Sequence, residues 1–191
     1  MTKPSILIAE DEAIVAEDLA GKIKQMGYDV AGITATGEEA VELASHQQRP
    51  GLVLMDIRLA GAMDGIAAAQ KIIRECNLPV LFLTAHSDPE TVGLARQTGA
   101  QGYILKPFEA RELHIQIELA LFKHVMESEL RLNLERHRIL AETMLQGVVH
   151  IDASGKIIAI NPACERIIGK NREQILGSCP SIEEDQAIRE N

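Results

Sequence analysis

The sequence predicts an α/β domain built on a five-stranded parallel sheet with helices on both faces. Three observations lead there. From residue 5 to about 122, short apolar runs and amphipathic helical stretches alternate five times, the pattern of a parallel sheet with right-handed crossovers. Four of the five runs are almost continuously apolar, as strands covered on both faces are. A polar residue then follows each of four runs: Glu10 and Asp11, Asp56, Thr84 and Lys106. Strand C-termini of an open parallel sheet share one edge, and ligands bind in the crevice there.

The strand runs are Ser5–Ala9, Tyr28–Thr34, Leu52–Met55, Pro79–Leu83 and Gln101–Leu105. The first helix places Val15, Leu19, Ile23 and Met26 on one face and stops at Gly27, a natural residue just past a helix end. The second opens with Thr36-Gly37-Glu38-Glu39, a capping-box pattern. Asp64 is the expected N-cap of the third helix. Asp88-Pro89-Glu90 sets a cap before a proline suited to the first helical position of the fourth. The fifth begins near Glu109, and no Gly or Pro interrupts Phe108 to Gln146.

That fifth helix carries a second apolar stripe: Ile115, Leu119, Phe122, Met126, Leu130, Leu134, His137, Ala141 and Met144. Its steps of three and four residues follow a heptad with one irregularity, a seam that pairs helices. A single helix folded back on its own domain is the plainer alternative. A helix of this length outreaches one small domain, so a homodimer through it is expected. His124 and His137 on this helix lack the acidic and proline-containing context of a phosphorylatable helix, and no nucleotide-binding glycine boxes follow. A stand-alone histidine kinase is therefore set aside.

Composition narrows the partners. The chain has 191 residues, 46% hydrophobic, and a formal net charge of −9. Bulk electrostatic binding to nucleic acid or an anionic membrane is not expected. Aromatic residues are 3% and Trp is absent, which argues against a base-stacking platform. No stretch reaches transmembrane length, and the N-terminus runs straight into a strand. Cys76, Cys164 and Cys179 are scattered without metal-ligand spacing, as expected of reduced thiols in a cytoplasmic protein.

If Glu10, Asp11 and Asp56 converge, their repulsion calls for a cation. Oxygen ligands point to a hard divalent ion, Mg²⁺. Such an ion bridges a phosphoryl donor and neutralises charge during transfer. A carboxylate can serve as nucleophile and become an aspartyl phosphate. Lys106 offers a positive charge for phosphoryl oxygens and Thr84 a hydroxyl. Pro107 follows Lys106, where a cis bond would aim the lysine inward. Singly, these residues have plainer readings: Glu10 or Asp11 as a helix cap, Asp56 as the start of a loop, Thr84 as a turn residue, Lys106 as a surface charge and Tyr103 as strand packing. A purely structural sheet needs none of these charges at one edge.

Five segments in register resemble the response-regulator receiver domain of two-component signalling: Ile6-Leu7-Ile8-Ala9-Glu10-Asp11-Glu12, Leu54-Met55-Asp56-Ile57-Arg58-Leu59, Asp64-Gly65, Leu83-Thr84-Ala85 and Lys106-Pro107-Phe108. They cover residues 1–122. The resemblance implies a flavodoxin-like sheet of order 2-1-3-4-5. It implies that Asp56 is phosphorylated by a histidine kinase or phosphotransfer protein. Asp11 and Asp56 would bind Mg²⁺, with the Arg58 carbonyl, and Glu10 would bind it through water. Lys106 would contact the phosphoryl group, and Thr84 and Tyr103 would act as switch residues. Glu10 stands where many family members carry Asp, and Arg58 and His86 stand where the family tunes phosphoryl lifetime. A self-phosphorylating and dephosphorylating signalling domain is implied, not a turnover enzyme.

Residues 109–146 read as extended helix and linker. From 147 to 191 the pattern turns to β: Val148–Ile151 and Lys156–Ile160 flank Asp152-Ala153-Ser154-Gly155 as a hairpin. Asn161-Pro162-Ala163 opens a short helix ending near Gly169, and another helical turn runs from Glu173 to Leu176. This segment resembles the N-terminal part of a PAS sensor domain. The resemblance stops before the later ligand-contacting portion, so no haem or flavin is implied. Two rivals follow from other classes. A ligand-sensing PAS protein would co-purify with a metabolite or chromophore. An Asp-nucleophile phosphatase would favour Asp-x-Asp after the first strand, where this chain has Glu10-Asp11-Glu12. A flavodoxin-type cofactor protein shares the sheet, but carboxylates lining the crevice would repel an FMN phosphate.

Overall fold

The computed structural model describes residues 4–46, 49–85, 93 and 98–179. The chain divides into two compact units, Met1–Glu127 and Ser128–Asn191. In the first unit the elements run β1 (Ile6–Ala9), α1 (Ala13–Gln25), β2 (Val30–Thr34), α2 (Gly37–Ser45), β3 (Leu52–Asp56), α3 (Gly65–Cys76), β4 (Val80–Thr84), β5 (Gly102–Leu105) and the start of a long helix, α4 (Ala110–Thr143). The helix expected at Asp88, together with His86 and the tail from 180 onward, lies outside the described residues.

The five strands form one sheet in the order β2-β1-β3-β4-β5, and each neighbouring pair is parallel. Side chains alternate across it, because strand periodicity is two. Leu7, Ala9, Val53, Met55, Val80 and Phe82 point to one face, where Ala40, Val41 and Ala44 of α2 and Ala68, Ala69 and Ile72 of α3 cover them. Ile6, Ile8, Leu52, Leu54, Leu81 and Leu83 point to the other, beneath Leu19 and Ile23 of α1 and Leu113 and Ile117 of α4. Both faces are thus dry, which explains the unbroken apolar runs of β1, β3 and β4.

Most of the expected punctuation is present. Gly27 follows the α1 C-cap with φ 80. The Asp64 side chain caps α3 by accepting from Ala67 N at 2.8 Å. The Thr36 pattern forms only in part: Thr36 accepts from Glu39 N at 3.3 Å, but the Glu39 carboxylate accepts from Thr34 Oγ1 at 2.6 Å instead of returning to the cap. On α1 the buried stripe is Ala16, Leu19, Ala20 and Ile23. Val15 and Met26 sit at its margin, packed against the core but only partly buried.

The second unit contains the remainder of α4, then β6 (Val149–Ile151), β7 (Ile157–Ile160), α5 (Pro162–Ile168) and α6 (Arg172–Ile175). β6 and β7 pair antiparallel. Asp152 Oδ1 organises their turn, accepting from Ser154 N, Ser154 Oγ and Lys156 N at 2.7–2.9 Å. The Ser154 hydroxyl and these amides hold the Asp152 carboxyl below its ordinary range. Ile157, Ile160, Cys164 and Ile175 make a small core. Burial raises the Cys164 thiol above its ordinary value.

Candidate functional site: an acidic pocket at the strand ends

The β1–α1 connection is short because α1 starts at Ala13. Glu12 is its N-cap residue and makes no side-chain cap bond. Neither Glu10 nor Asp11 is therefore used to cap the helix, and both stay at the end of β1. The β1–β3 register pairs Ala9 with Met55, so the residues that follow, Glu10 and Asp56, leave the sheet side by side. Among the described residues, Glu10, Asp11 and Asp56 form an acidic group in which one carboxylate oxygen from each lies within 4.8 Å of the other two. Glu10 is buried, Asp56 half-buried and Asp11 exposed.

Lys106 follows β5 and reaches across the sheet edge. Its Nζ lies 2.5 Å from Glu10 Oε2 and 2.5 Å from Asp56 Oδ2. Burial raises Glu10 above the usual carboxylate value of 4.5, and the Asp56 charge adds to this, while Lys106 opposes both. Burial acts to lower Lys106, but its hydrogen bonds and ion pairs with Asp56 and Glu10 prevail and hold it above 10.5. The ammonium thus stands as the counter-ion of two carboxylates that repel each other. The peptide bond from Lys106 to Pro107 is cis, as the sequence anticipates.

The remaining candidates surround this pair. Thr84, the last residue of β4, is 4% exposed, and its carbonyl accepts from Lys106 N at 2.7 Å. Arg58 is exposed, and its amide donates to Asp56 Oδ1 at 3.0 Å. Tyr103 lies on β5 with 44% exposure, opposite Phe82 in register. The structure therefore brings Glu10, Asp11, Asp56, Lys106 and Arg58 into one neighbourhood, with Thr84 at its edge on β4 and Tyr103 on β5, the strand that Lys106 follows.

Two features of this neighbourhood escape a reading of residue types alone. An ideal Cβ on Gly65 would stand 1.9 Å from the Asp56 carbonyl oxygen. Only glycine lets α3 start this close to the strand end, and the signal for it is the Asp64-Gly65 pair. The second is Glu38, which in the sequence is only part of a capping pattern. Its Oε1 accepts from Ala62 N at 3.2 Å and Met63 N at 3.0 Å, in the loop that follows Asp56.

The donor set suits a hard divalent cation: three clustered carboxylates beside the backbone of the Asp56–Arg58 turn, with no soft ligand. Mg²⁺ fits these oxygens.

The chain is similar to known proteins in sequence and in fold. The chain is 43% identical over 116 residues to the transcriptional regulatory protein PdtaR of Mycobacterium tuberculosis, a match covering 61% of this chain and 56% of that one. It is 38% identical over 117 residues to the phyllosphere-induced regulator PhyR of Methylorubrum extorquens, covering 61% and 43%. The match thus spans about half the length of these curated relatives. The crystal structure of the signal receiver domain of a modulated diguanylate cyclase from Desulfovibrio desulfuricans superposes with a TM-score of 0.62 at 41% identity, covering 65% of this chain and 98% of that one. The N-terminal domain of a response regulator/sensory box/GGDEF three-domain protein from Carboxydothermus hydrogenoformans gives 0.60 at 40% identity, covering 65% and 98%. The family model of the response regulator receiver domain matches residues 6–118, and the chain belongs to that family.

Proposed function

We propose that this receiver accepts a phosphoryl group on Asp56 from a histidine kinase or phosphotransfer protein. The observation that carries this reading is the cluster of Glu10, Asp11 and Asp56 within 4.8 Å, spanned by the Lys106 ammonium. A carboxylate oxygen of Asp56 attacks phosphorus, the P–N bond of the donor phosphohistidine breaks, and its electron pair leaves with the imidazole nitrogen. Lys106 and Thr84 then contact oxygens of the transferred group. Asp11, Asp56 and the Arg58 carbonyl would hold Mg²⁺ directly, and Glu10 through water. When bound, the ion supplies positive charge that offsets the carboxylates and the phosphoryl oxygens.

The altered pocket would bias a pre-existing equilibrium through Thr84 and Tyr103 toward the surface of β5 and α4. The domain division behind this reading is a receiver over 1–122, an extended helix over 109–146 and a PAS-like segment over 147–191. The hairpin and the short helix after Asn161 support the last of these. So does the Carboxydothermus relative, a three-domain protein in which a sensory box accompanies the response regulator. The long helix would pass the change to that segment or to a second copy of the chain. Exposure of Ile115, Leu119 and Phe122 at 53%, 57% and 63% favours the second copy.

The test is direct. Incubation with a small phosphodonor and Mg²⁺ should add one phosphoryl mass, and Asp56→Asn should abolish it. A wild-type increment in that variant would overturn the assignment. Sustained release of phosphate from simple esters would instead favour a phosphatase.

A further inference from the structure

The loop between β3 and α3 has no regular secondary structure, yet its path is held at several points. Arg58 N donates to Asp56 Oδ1 at 3.0 Å. Ala60 N donates to the Ala35 carbonyl at 3.0 Å, beside a bridge between Thr36 and Ala60. Glu38 Oε1 then accepts from both Ala62 N and Met63 N. At the far end, Gly65 N donates to the Ile57 carbonyl at 3.0 Å. Arg58, whose carbonyl is the expected metal ligand, lies inside this held segment.

A glutamate in the first turn of a helix ordinarily serves its own helix, through the dipole and the free N–H groups there. Glu38 reaches instead to amides 24 and 25 residues further along the chain. A carboxylate that accepts from two amides makes charge-assisted bonds, stronger than neutral ones. Two glycines make the approach feasible. An ideal Cβ on Gly37 would meet the Met63 carbonyl oxygen at 2.6 Å. Gly61 has φ +97, and a Cβ there would stand 3.0 Å from Glu38 Oε2. Helix α2 and the loop are thus built to touch at this place, with the carboxylate as the fastening.

We propose that Glu38 is a positioning residue for Mg²⁺ binding and phosphoryl acceptance: it fastens the 57–64 loop to α2 so that the Arg58 backbone and the Asp56 side chain keep their mutual placement. The proposal rests on the phospho-acceptor reading of Asp56. Partners one shell behind the ligands typically set metal affinity through ligand placement, and here the ligand is a backbone carbonyl that no side-chain substitution can remove directly.

The full chain is compared as wild type, Glu38→Ala, Glu38→Gln and, as a control on the exposed side of the same helix, Glu42→Ala. Calorimetric titration with magnesium chloride reads affinity, and mass spectrometry with acetyl phosphate reads the rate of phosphoryl gain. Glu38→Ala should weaken Mg²⁺ binding and slow phosphoryl gain, each by about tenfold. Glu38→Gln keeps the Oε1 acceptor and should recover most of both, and Glu42→Ala should match wild type. A residue that merely stabilised the fold would lower the melting temperature and leave Mg²⁺ affinity at room temperature unchanged. Wild-type affinity in Glu38→Ala, or equal losses in the Ala and Gln variants, overturns the proposal. If wild type itself neither binds Mg²⁺ nor gains the phosphoryl mass, the phospho-acceptor reading fails first and takes Glu38 with it.

Discussion

At Glu10, burial and the Asp56 charge oppose ionisation while Lys106 favours it, and the balance leaves the group above 4.5. Between 4.5 and that raised value the folded state holds more protons than the unfolded state. The contribution of Glu10 to stability is therefore fullest below 4.5 and falls as pH rises through the window. Lys106 follows the same sign at the alkaline end: its contribution is full below 10.5 and is lost as pH rises through its raised folded value. Urea midpoints measured against pH without Mg²⁺ should show the acid-side slope in wild type and lose it in Glu10→Gln. Lys106→Met strips the only ammonium described in the cluster and leaves three carboxylates together. It should cost about 3 kcal/mol in urea unfolding. Asp56→Asn keeps the Lys106–Glu10 pair, removes one repelling charge, and should raise the urea midpoint.

Among the elements, α3 is the one whose start is set by a strand end. Gly65→Ala would drive a methyl into the Asp56 carbonyl and should destabilise the first unit by about 3 kcal/mol, read by urea unfolding. In the second unit the corresponding joint is Asn161, 5% exposed. Its Oδ1 accepts from Val148 N at 2.9 Å and Cys164 N at 3.2 Å. Its Nδ2 donates to the Ala141 carbonyl at 3.1 Å and the Gln146 carbonyl at 2.9 Å. One side chain therefore ties the last turn of α4, the connector up to Val148 and the start of α5. Asn161→Ala leaves these backbone groups without that partner and should cost the unit about 2–4 kcal/mol. Hydrogen exchange at Val148 and Cys164 should quicken at least about tenfold, with amides of β1 and β3 unchanged.

For the whole molecule, α4 is the covalent connection between the two units. Its inner side is spent on the sheet through Leu113, Ile117 and Ala120, and its outer residues Leu119 and Phe122 remain exposed. Within the second unit the same stripe continues through Leu130 and Leu134, exposed at 61% and 64%. If a second copy covers this seam, sedimentation should show a phosphoryl mimic shifting the chain toward dimer, and Leu119→Glu should prevent the shift. Identical assembly with and without the mimic would count against dimerisation as the output. No helix among the described residues is long and apolar enough to cross a membrane.

Which segments form strands and helices, and which polar residues follow the strands, were legible in the sequence because both depend on local pattern, whereas the sheet order came only from the family resemblance. Alternation of period two and 3.6 marks the strands and helices, and a parallel sheet places every strand C-terminus at one edge. The capping box at Thr36 was legible only in part. Glu39 has a nearer partner in Thr34, and which acceptor a donor finds depends on strand β2 arriving beside the helix. The same limit applies to Glu10 and Lys106, 96 residues apart, to Glu38 and the loop after Asp56, and to Gly65 under the Asp56 carbonyl. By itself the sequence determined which elements form and which charges gather at the sheet edge, since propensity and periodicity act over a few residues. Only the tertiary structure decided which of those charges pair, how deeply Glu10 is buried and what holds the loop, because these depend on distances between segments remote along the chain.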